Sequence, residues 1–288
     1  RKRSDGTSTL DTSWEKKGLY DTVLEHGCLN LLEDYAVKYG RVPDRMQVTV
    51  LYHLIWYIKK IVNNNHVISF LTDAEKDKFK SLMFDIFNYI DEKTIIEFNL
   101  GGAWFFHKVG LLGLYKEKDP SFQIAYISKY DHHKKMVQLR YFIRQETFQS
   151  VCLDGIDTIP SYAKTISHTF IDDSFVLERR IWVYVGNAEK IALKIGNMNA
   201  KLSLGNNQNN NSLKISTISN YFKSLKPKYT ISNIYKDAWL FIDRDRYADD
   251  NAEHLYRYVQ KNYPERKIYF VIKKNTSEWE RLEKDNFN

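Results

Sequence analysis

The sequence predicts a multidomain chain: an α-helical block, then an antiparallel β-sandwich-like module, then the start of an α/β domain with a parallel sheet. Three observations carry this. Apolar residues recur at helical spacing across residues 19–98. From residue 122 they give way to short alternating runs, punctuated by Asp154-Gly155, Gly186-Asn187 and Gly196-Asn197. Within 238–272, strand, helix and strand signals follow one another, which is the order of a βαβ unit. The boundaries drawn from these shifts are 1–18 as a leading segment, 19–118 for the helices, 119–205 for the β module, 206–236 for a linker and 237–288 for the α/β start.

In the helical block, segments 19–40 and 46–62 are separated by Gly40, Arg41, Val42 and Pro43, a helix stop followed by a turn. The second segment carries Gln47, Thr49, His53, Lys59 and Lys60, too polar and too short for a comfortable bilayer span. It predicts a buried core helix, with His53 a core or edge histidine. Thr72 and Glu75 have the spacing of a capping box, opening a helix that runs to Ile90. Phe79, Leu82, Met83, Ile86, Phe87 and Ile90 would line its inner face. A short helix is expected over 91–99 and a turn at Gly101-Gly102.

Strands are expected over 123–129, 135–144, 148–153, 167–170, 175–185 and 190–195, arranged as an antiparallel sandwich. His132 and His133 follow Asp131, but adjacent histidines point apart, so a solvated turn is expected there rather than a metal site. The Asn-rich run 206–211 is low in complexity. Residues 212–236 hold five Lys and no acid, with Ile215, Ile218, Phe222 and Leu225 at helical spacing. This is a basic amphipathic helix, which either rests on an anionic membrane or a polyanionic product, or docks on its own domain.

The apolar run 238–242 suits a buried strand, and 243–247 packs four charges into a turn. Asp250 and Glu253 read as a second capping box, followed by Leu255, Tyr258 and Val259 at helical spacing. A second strand, 267–272, arrives after Tyr263-Pro264. The lack of an initiator Met and the interrupted βαβ pattern at Asn288 lead us to expect a piece of a longer chain.

Composition sets outer limits. Hydrophobic residues make up 43% and charged residues 27% of the 288, which is ordinary for a globular protein. Aromatics reach 15%, which serves either dense packing or sugar-stacking surfaces. Cys28 and Cys152 stand far apart without metal spacing, so a reducing compartment is expected and zinc is not. A net charge of +7 suits anionic partners, but no cluster of Arg points to nucleic acid. No Gly-rich phosphate loop, GxSxG, HExxH or CxxC motif occurs.

Two places could carry chemistry. Arg1, Lys2 and Arg3 precede a Gly- and hydroxyl-containing turn, a combination able to close over a diphosphate. Asp243, Arg244, Asp249, Asp250, Asn251 and His254 cluster at the carboxyl end of a strand, where open α/β sheets bind ligands. Helix N-terminal amides there could hold a phosphate if Arg244 or Arg246 offsets Asp249 and Asp250. A hydroxyl-rich acceptor fits that charge better. The structural alternative has Asp250 as a cap, Asn251 fixing the turn and Arg244 paired with a carboxylate.

The stretch WLFIDRDRYADDNAEHLYRYV at 239–259, with Tyr263-Pro264 and 268–273, resembles the opening of the CDP-glycerol glycerophosphotransferase domain of teichoic-acid and capsule polymerases. Residues 1–32 resemble the C-terminal tail of family-2 glycosyltransferase domains with the GT-A fold, which precede the phosphotransferase domain in some capsule enzymes. The resemblance implies that 237–288 begins a two-half, Rossmann-like GT-B domain. It also implies a transferase that moves glycerol phosphate, and a sugar through the adjoining domain, from CDP-glycerol and nucleotide-sugar donors to a growing polysaccharide. Arg1, Lys2 and Arg3 would then approach a donor diphosphate, and the 243–254 cluster would shape the acceptor side. A divalent metal, Mg or Mn, would belong to the glycosyltransferase part upstream, with no catalytic residue and no cofactor within 1–288, so that this piece is expected to be inactive alone. The implied location is the cytoplasmic face of the membrane. The alternative is a non-catalytic polysaccharide-binding or scaffold region.

Overall fold

The computed structural model of the protein describes residues 13–205, 207–208, 211–225 and 235–287. The chain divides into two compact units, residues 1–225 and 226–288.

The first unit opens with helices. Helix α1 (Thr22–Leu24) passes through a π-helical turn (Glu25–Leu29) into α2 (Asn30–Tyr39), and Gly40, at φ 72°, stops it as the sequence predicts. Helix α3 (Asp44–Ile61) buries Val50, Leu51, Leu54, Ile55, Tyr57, Ile58 and Ile61, so the most membrane-like stretch is a core helix. Among the described residues no helix is long and apolar enough to cross a membrane. Buried Gln47 has its amide fully used: it donates to Val42 O and Asp91 Oδ2, and accepts from Asp91 N and Thr94 Oγ1. This satisfied polar clasp ties α3 to the segment around Asp91.

Helix α4 (Asp73–Asn88) begins with the predicted capping box: Glu75 N–H donates to Thr72 Oγ1 at 3.3 Å, and Thr72 N–H to Glu75 Oε2 at 2.7 Å. All six apolar residues expected on its inner face are buried. Helix α5 (Glu92–Glu97) matches the short helix expected over 91–99. Helix α6 (Phe105–Lys116) has no counterpart among the expected elements. It is apolar nearly all round because α4 covers one side and the sheet another, which erases the one-faced periodicity that marks a surface helix. Phe87 of α4 stacks on Tyr115 with ring centroids 4.0 Å apart, while Phe106 lies against Phe142 and Phe175 of the sheet.

The strands are β1 (Gln123–Asp131), β2 (Met136–Ile143), β3 (Gln149–Leu153), β4 (Ile156–Thr158), β5 (Tyr162–Phe170), β6 (Asp173–Tyr184), β7 (Lys190–Ile195), β8 (Met198–Leu204), β9 (Asn207–Gln208) and β10 (Ser212–Lys214). In place of two facing antiparallel sheets they form one curled sheet, ordered β4-β3-β7-β8-β1-β2-β6-β5, with β10 on β7 and β9 on β8. Strand β8 explains the difference. It forms a short hairpin with β7 through the predicted Gly196-Asn197 turn, then leaves to run parallel with β1. One strand therefore carries the chain from one half of the sheet into the other.

Alternating side chains divide between two cores. Ala125, Ile127, Val137, Leu139, Tyr141 and Ile143 point into the curl and meet Val151, Ile191 and Leu193. Ile124, Phe142, Phe175 and Val176 point outward and join the helical core. Helix α7 (Ile215–Ser224) forms inside the stretch expected to be a basic amphipathic helix and holds one of that stretch's five Lys, Lys223. Its Ile215 and Ile218 are buried in the inner core, with Tyr221 and Phe222 packed against it. Burying two isoleucines stabilises this seat by about 3–6 kcal/mol, so this part of the apolar face docks on its own domain, while Leu225, expected on the same face, is 59% exposed. The Asp131–His133 segment is the expected turn: Asp131 Oδ1 accepts from the N–H groups of His133 and Lys134, both at 2.9 Å.

The second unit comprises β11 (Trp239–Phe241), α8 (Asn251–Asn262), β12 (Ile268–Phe270) and α9 (Ser277–Lys284). The two strands are parallel, with Phe241 opposite Phe270, so the βαβ unit forms as predicted. Phe241, Ile268 and Phe270 pack on Tyr256, Val259 and Leu282. Burial is one-sided, however. Leu240 is 63% and Ile242 53% exposed, so this strand is covered on a single face rather than fully buried.

Candidate functional site

The charged turn between β11 and α8 is organised from within. Asp243 sits just past the carboxyl end of β11, and its two oxygens accept from three backbone N–H groups: Ala252 at 2.7 Å, Asp250 at 3.2 Å and Glu253 at 3.2 Å. These are the donors that a helix start leaves without partners. The α8 N-terminus therefore already holds an anion, its own Asp243, and the phosphate seat considered from the sequence is taken.

The expected capping box takes a different form. Asp250 Oδ1 accepts from Asn251 N–H at 2.7 Å, and Glu253 reaches back one residue further, to Asp249 N–H at 2.6 Å. Asp249 adopts φ 76°, which aims that N–H inward. Glu253 is buried and accepts from two guanidiniums: Arg281 Nη2 at 2.6 Å and Arg257 Nη2 at 2.6 Å. Arg257 also holds Asp285 at 2.7 Å, and Arg281 holds Glu278 at 2.7 Å. The Arg281 hydrogen bond, followed by those from Arg257 and Asp249 against the opposing pull of burial, lowers the Glu253 pKa to about 2. Sequence reading saw Glu253 only as a cap; the visible signal was its i, i+4 spacing to Arg257.

The remaining expected site residues are exposed. Among the described residues, no hydrogen bond or ion pair engages the side chains of Arg244, Asp249, Asn251 or His254. Arg246 lies 3.9 Å from Asp245. Lys273 N–H donates to Asp245 O at 2.7 Å, which brings Lys273 and Lys274 to the same end of the sheet. Asp243 and Asp250 thus hold the turn, while Arg244, Asp249, Asn251 and His254 face outward beside a Lys pair that sequence reading did not include. Arg1, Lys2 and Arg3 lie outside the described residues. No group of three His, Cys, Asp or Glu side chains able to hold a metal ion occurs among the described residues.

The division of labour at this turn makes a prediction. Asp243→Ala removes the acceptor of three helix N-terminal amides and should cost about 1–2 kcal/mol. Amide hydrogen exchange would report it as faster exchange at 250–253, with α6 unchanged; identical exchange in both proteins would show that Asp243 does not cap α8.

One stretch of this chain resembles a known protein. It is similar to the minor teichoic acid biosynthesis protein GgaB of Bacillus subtilis (strain 168), at 48% identity over 56 residues. That stretch is 19% of this chain and spans 6% of the length of GgaB. No family model matches the chain, and no solved structure matches it.

Proposed function

We propose that this chain is part of a polymerase of the teichoic-acid or capsule type, transferring glycerol phosphate from CDP-glycerol to a growing polymer. An adjoining glycosyltransferase part would add a sugar from a nucleotide-sugar donor. The observation that carries the reading is the 48% identity to a teichoic acid biosynthesis protein. The parallel strand–helix–strand unit supports it, since a Rossmann-like half of a GT-B domain is built from such units.

In this reaction an acceptor hydroxyl oxygen attacks the phosphorus that bears glycerol. The new P–O bond forms as the bond to CMP breaks, and the hydroxyl proton leaves to a base. Within this chain, Arg244, Asp249, Asn251 and His254 are assigned to the acceptor side, where outward-facing donors and acceptors suit a hydroxyl-rich chain. Asp243 and Asp250 belong to the same group by holding that turn in shape. Arg1, Lys2 and Arg3 are assigned to the donor diphosphate of the glycosyltransferase part, to which a Mg or Mn ion would also belong. A protein acting on such a polymer would lie at the inner face of the cell membrane.

The test is transfer of radiolabelled glycerol phosphate from CDP-glycerol into acid-precipitable polymer by the whole protein that carries this chain. Incorporation should be clear, and Arg244→Ala should lower it tenfold or more without changing the circular dichroism. Incorporation from nucleotide sugars alone would remove the glycerophosphotransferase assignment, and none from either donor would overturn the reading.

A further inference from the structure

The outer face of the curled sheet carries a second feature, remote in sequence from the charged turn. The helices cover that face only at one end, where Phe142 and Val176 enter the helical core. Moving along β2 and β6 away from them, the strand register lines up Tyr126, Arg140, Arg180 and Lys164 as direct neighbours on four adjacent strands. Three cations thus stand side by side, an arrangement that repels itself unless an anion joins it.

The structure supplies only part of that anion. The flanking rows, Gln138-Trp182-Tyr162 on one side and Phe142-Glu178-Ile166 on the other, contain a single carboxylate. Glu178 is buried, pairs with Arg180, and accepts from His168 Nε2 at 3.0 Å. Arg140 and Lys164 have no ion pair among the described residues. Arg140 is held instead between aromatic faces, its guanidinium carbon 5.6 Å from the Trp104 ring and 5.7 Å from those of Tyr126 and Phe142. Its Nε is buried without a hydrogen-bond partner. A guanidinium fixed by π contacts, with no ion pair among the described residues, is oriented to offer its outer N–H groups, not the buried Nε, to an oxyanion.

The rings around the row define the rest of the ligand. Trp182 is half-buried beside Arg180, Tyr162 is 67% exposed opposite it, and Tyr184 is 58% exposed at the end of β6. Flat, amphipathic rings offer C–H faces a stacking surface while their polar tips meet hydroxyls. Cations spaced along a strand-to-strand row, bordered by such rings, match a chain in which phosphates alternate with hydroxylated carbon units.

We propose that the Arg140–Arg180–Lys164 row, bordered by Trp104, Trp182 and Tyr162, binds phosphate groups of an anionic polyol- or sugar-phosphate chain. Its identification as that chain, rather than another polyanion, rests on the teichoic-acid reading above; the anion site itself does not. The site belongs to the first unit, is built from residues other than those of the 243–254 turn, and takes no covalent part in transfer.

The test is a titration of the 288-residue chain with oligo(glycerol phosphate), followed by tryptophan fluorescence and calorimetry. Saturable binding is expected, weakening at least tenfold in Arg140→Gln/Lys164→Gln and weakening as salt rises. Lys190→Gln/Lys194→Gln removes the same charge elsewhere on the sheet and should leave binding unchanged. Should the first double variant misfold, exposed Lys164→Gln alone should still weaken binding at least threefold. A neutral dextran oligosaccharide should bind at least tenfold more weakly. No binding, or equal losses in both double variants, would overturn the site. Oligothymidylate of matched charge binding as tightly would overturn the ligand class. Binding without glycerol phosphate transfer by the whole protein leaves this site standing and removes the transferase, and transfer without binding does the reverse.

Discussion

Glu253→Gln is expected to destabilise the second unit strongly at neutral pH. The substitution keeps the size of the side chain but removes the charge that two guanidiniums, Arg257 and Arg281, share at 2.6 Å. Breaking a buried ion pair by neutralising one partner costs about 3–5 kcal/mol. Both arginines are partly exposed, which lets water take over some of their solvation and moves the expectation to about 2–3 kcal/mol. A unit of this size draws only about 3–5 kcal/mol from its core, so the loss consumes most of its stability. Amide hydrogen exchange across 239–287 should accelerate by tenfold or more, with α3 and α4 of the first unit unaffected. Unchanged exchange in α8 and β12 would show that the cluster is surface decoration.

The same cluster sets a pH dependence. Glu253 sits at a pKa of about 2 in the folded unit against an ordinary value of 4.5. A carboxyl group depressed on folding contributes stability that is complete above the ordinary value and is lost as pH falls through the folded one. The second unit should therefore weaken as pH drops from 4.5 toward 2, and Glu253→Gln should flatten that part of the profile.

Gly110→Ala should destabilise the first unit, against the usual effect of this substitution in a helix. Alanine in place of glycine at an exposed helix position gains about 1 kcal/mol. At Gly110 the added Cβ would lie 2.3 Å from two carbons of the Phe175 ring, and that ring is itself buried between Phe106 and Phe170. Either α6 lifts from β6 or the ring leaves its place, and overpacking of this kind costs about 1–3 kcal/mol. The close approach is at the upper end, so the net loss is about 1–2 kcal/mol, or roughly 2–8 °C in Tm for a unit of this size. Gly27→Ala is the contrast, since its Cβ would meet nothing nearer than a Val23 methyl at 3.9 Å. Pairing Gly110→Ala with Phe175→Leu should recover part of the loss. Equal Tm values for the two alanine variants would show that the α6–β6 contact is looser than these distances.

Some of this architecture is plain in the residues. The Thr72–Glu75 box, the stop at Gly40 and the inner face of α4 depend on neighbours three or four positions away, and each forms as the spacing indicates. The same holds for most strands, whose two-residue alternation assigns one residue to each face, and for the parallel pairing of β11 with β12. The charged turn was visible as a cluster, but not its internal roles. Asp243 is the acceptor for α8 although Asp250 has the better sequence position for it. Arg281, 28 positions from Glu253, has no local signature that marks it as a partner.

By itself, then, the sequence determined the main helices of the first block, most of the longer strands and the strand–helix–strand order of the second unit. It also determined which of their side chains share a face, but not α6, β8 or α9. These follow from backbone preferences and side-chain spacing within a few residues. Only the tertiary structure decided that β8 leaves β7 to run beside β1, that α6 is buried between α4 and the sheet, and that Arg140, Arg180 and Lys164 meet in one row. Alternation says which way a side chain points but not which strand lies next to it. Strand order is chosen by packing among distant segments, and it is that choice which sets three cations from three strands against one another.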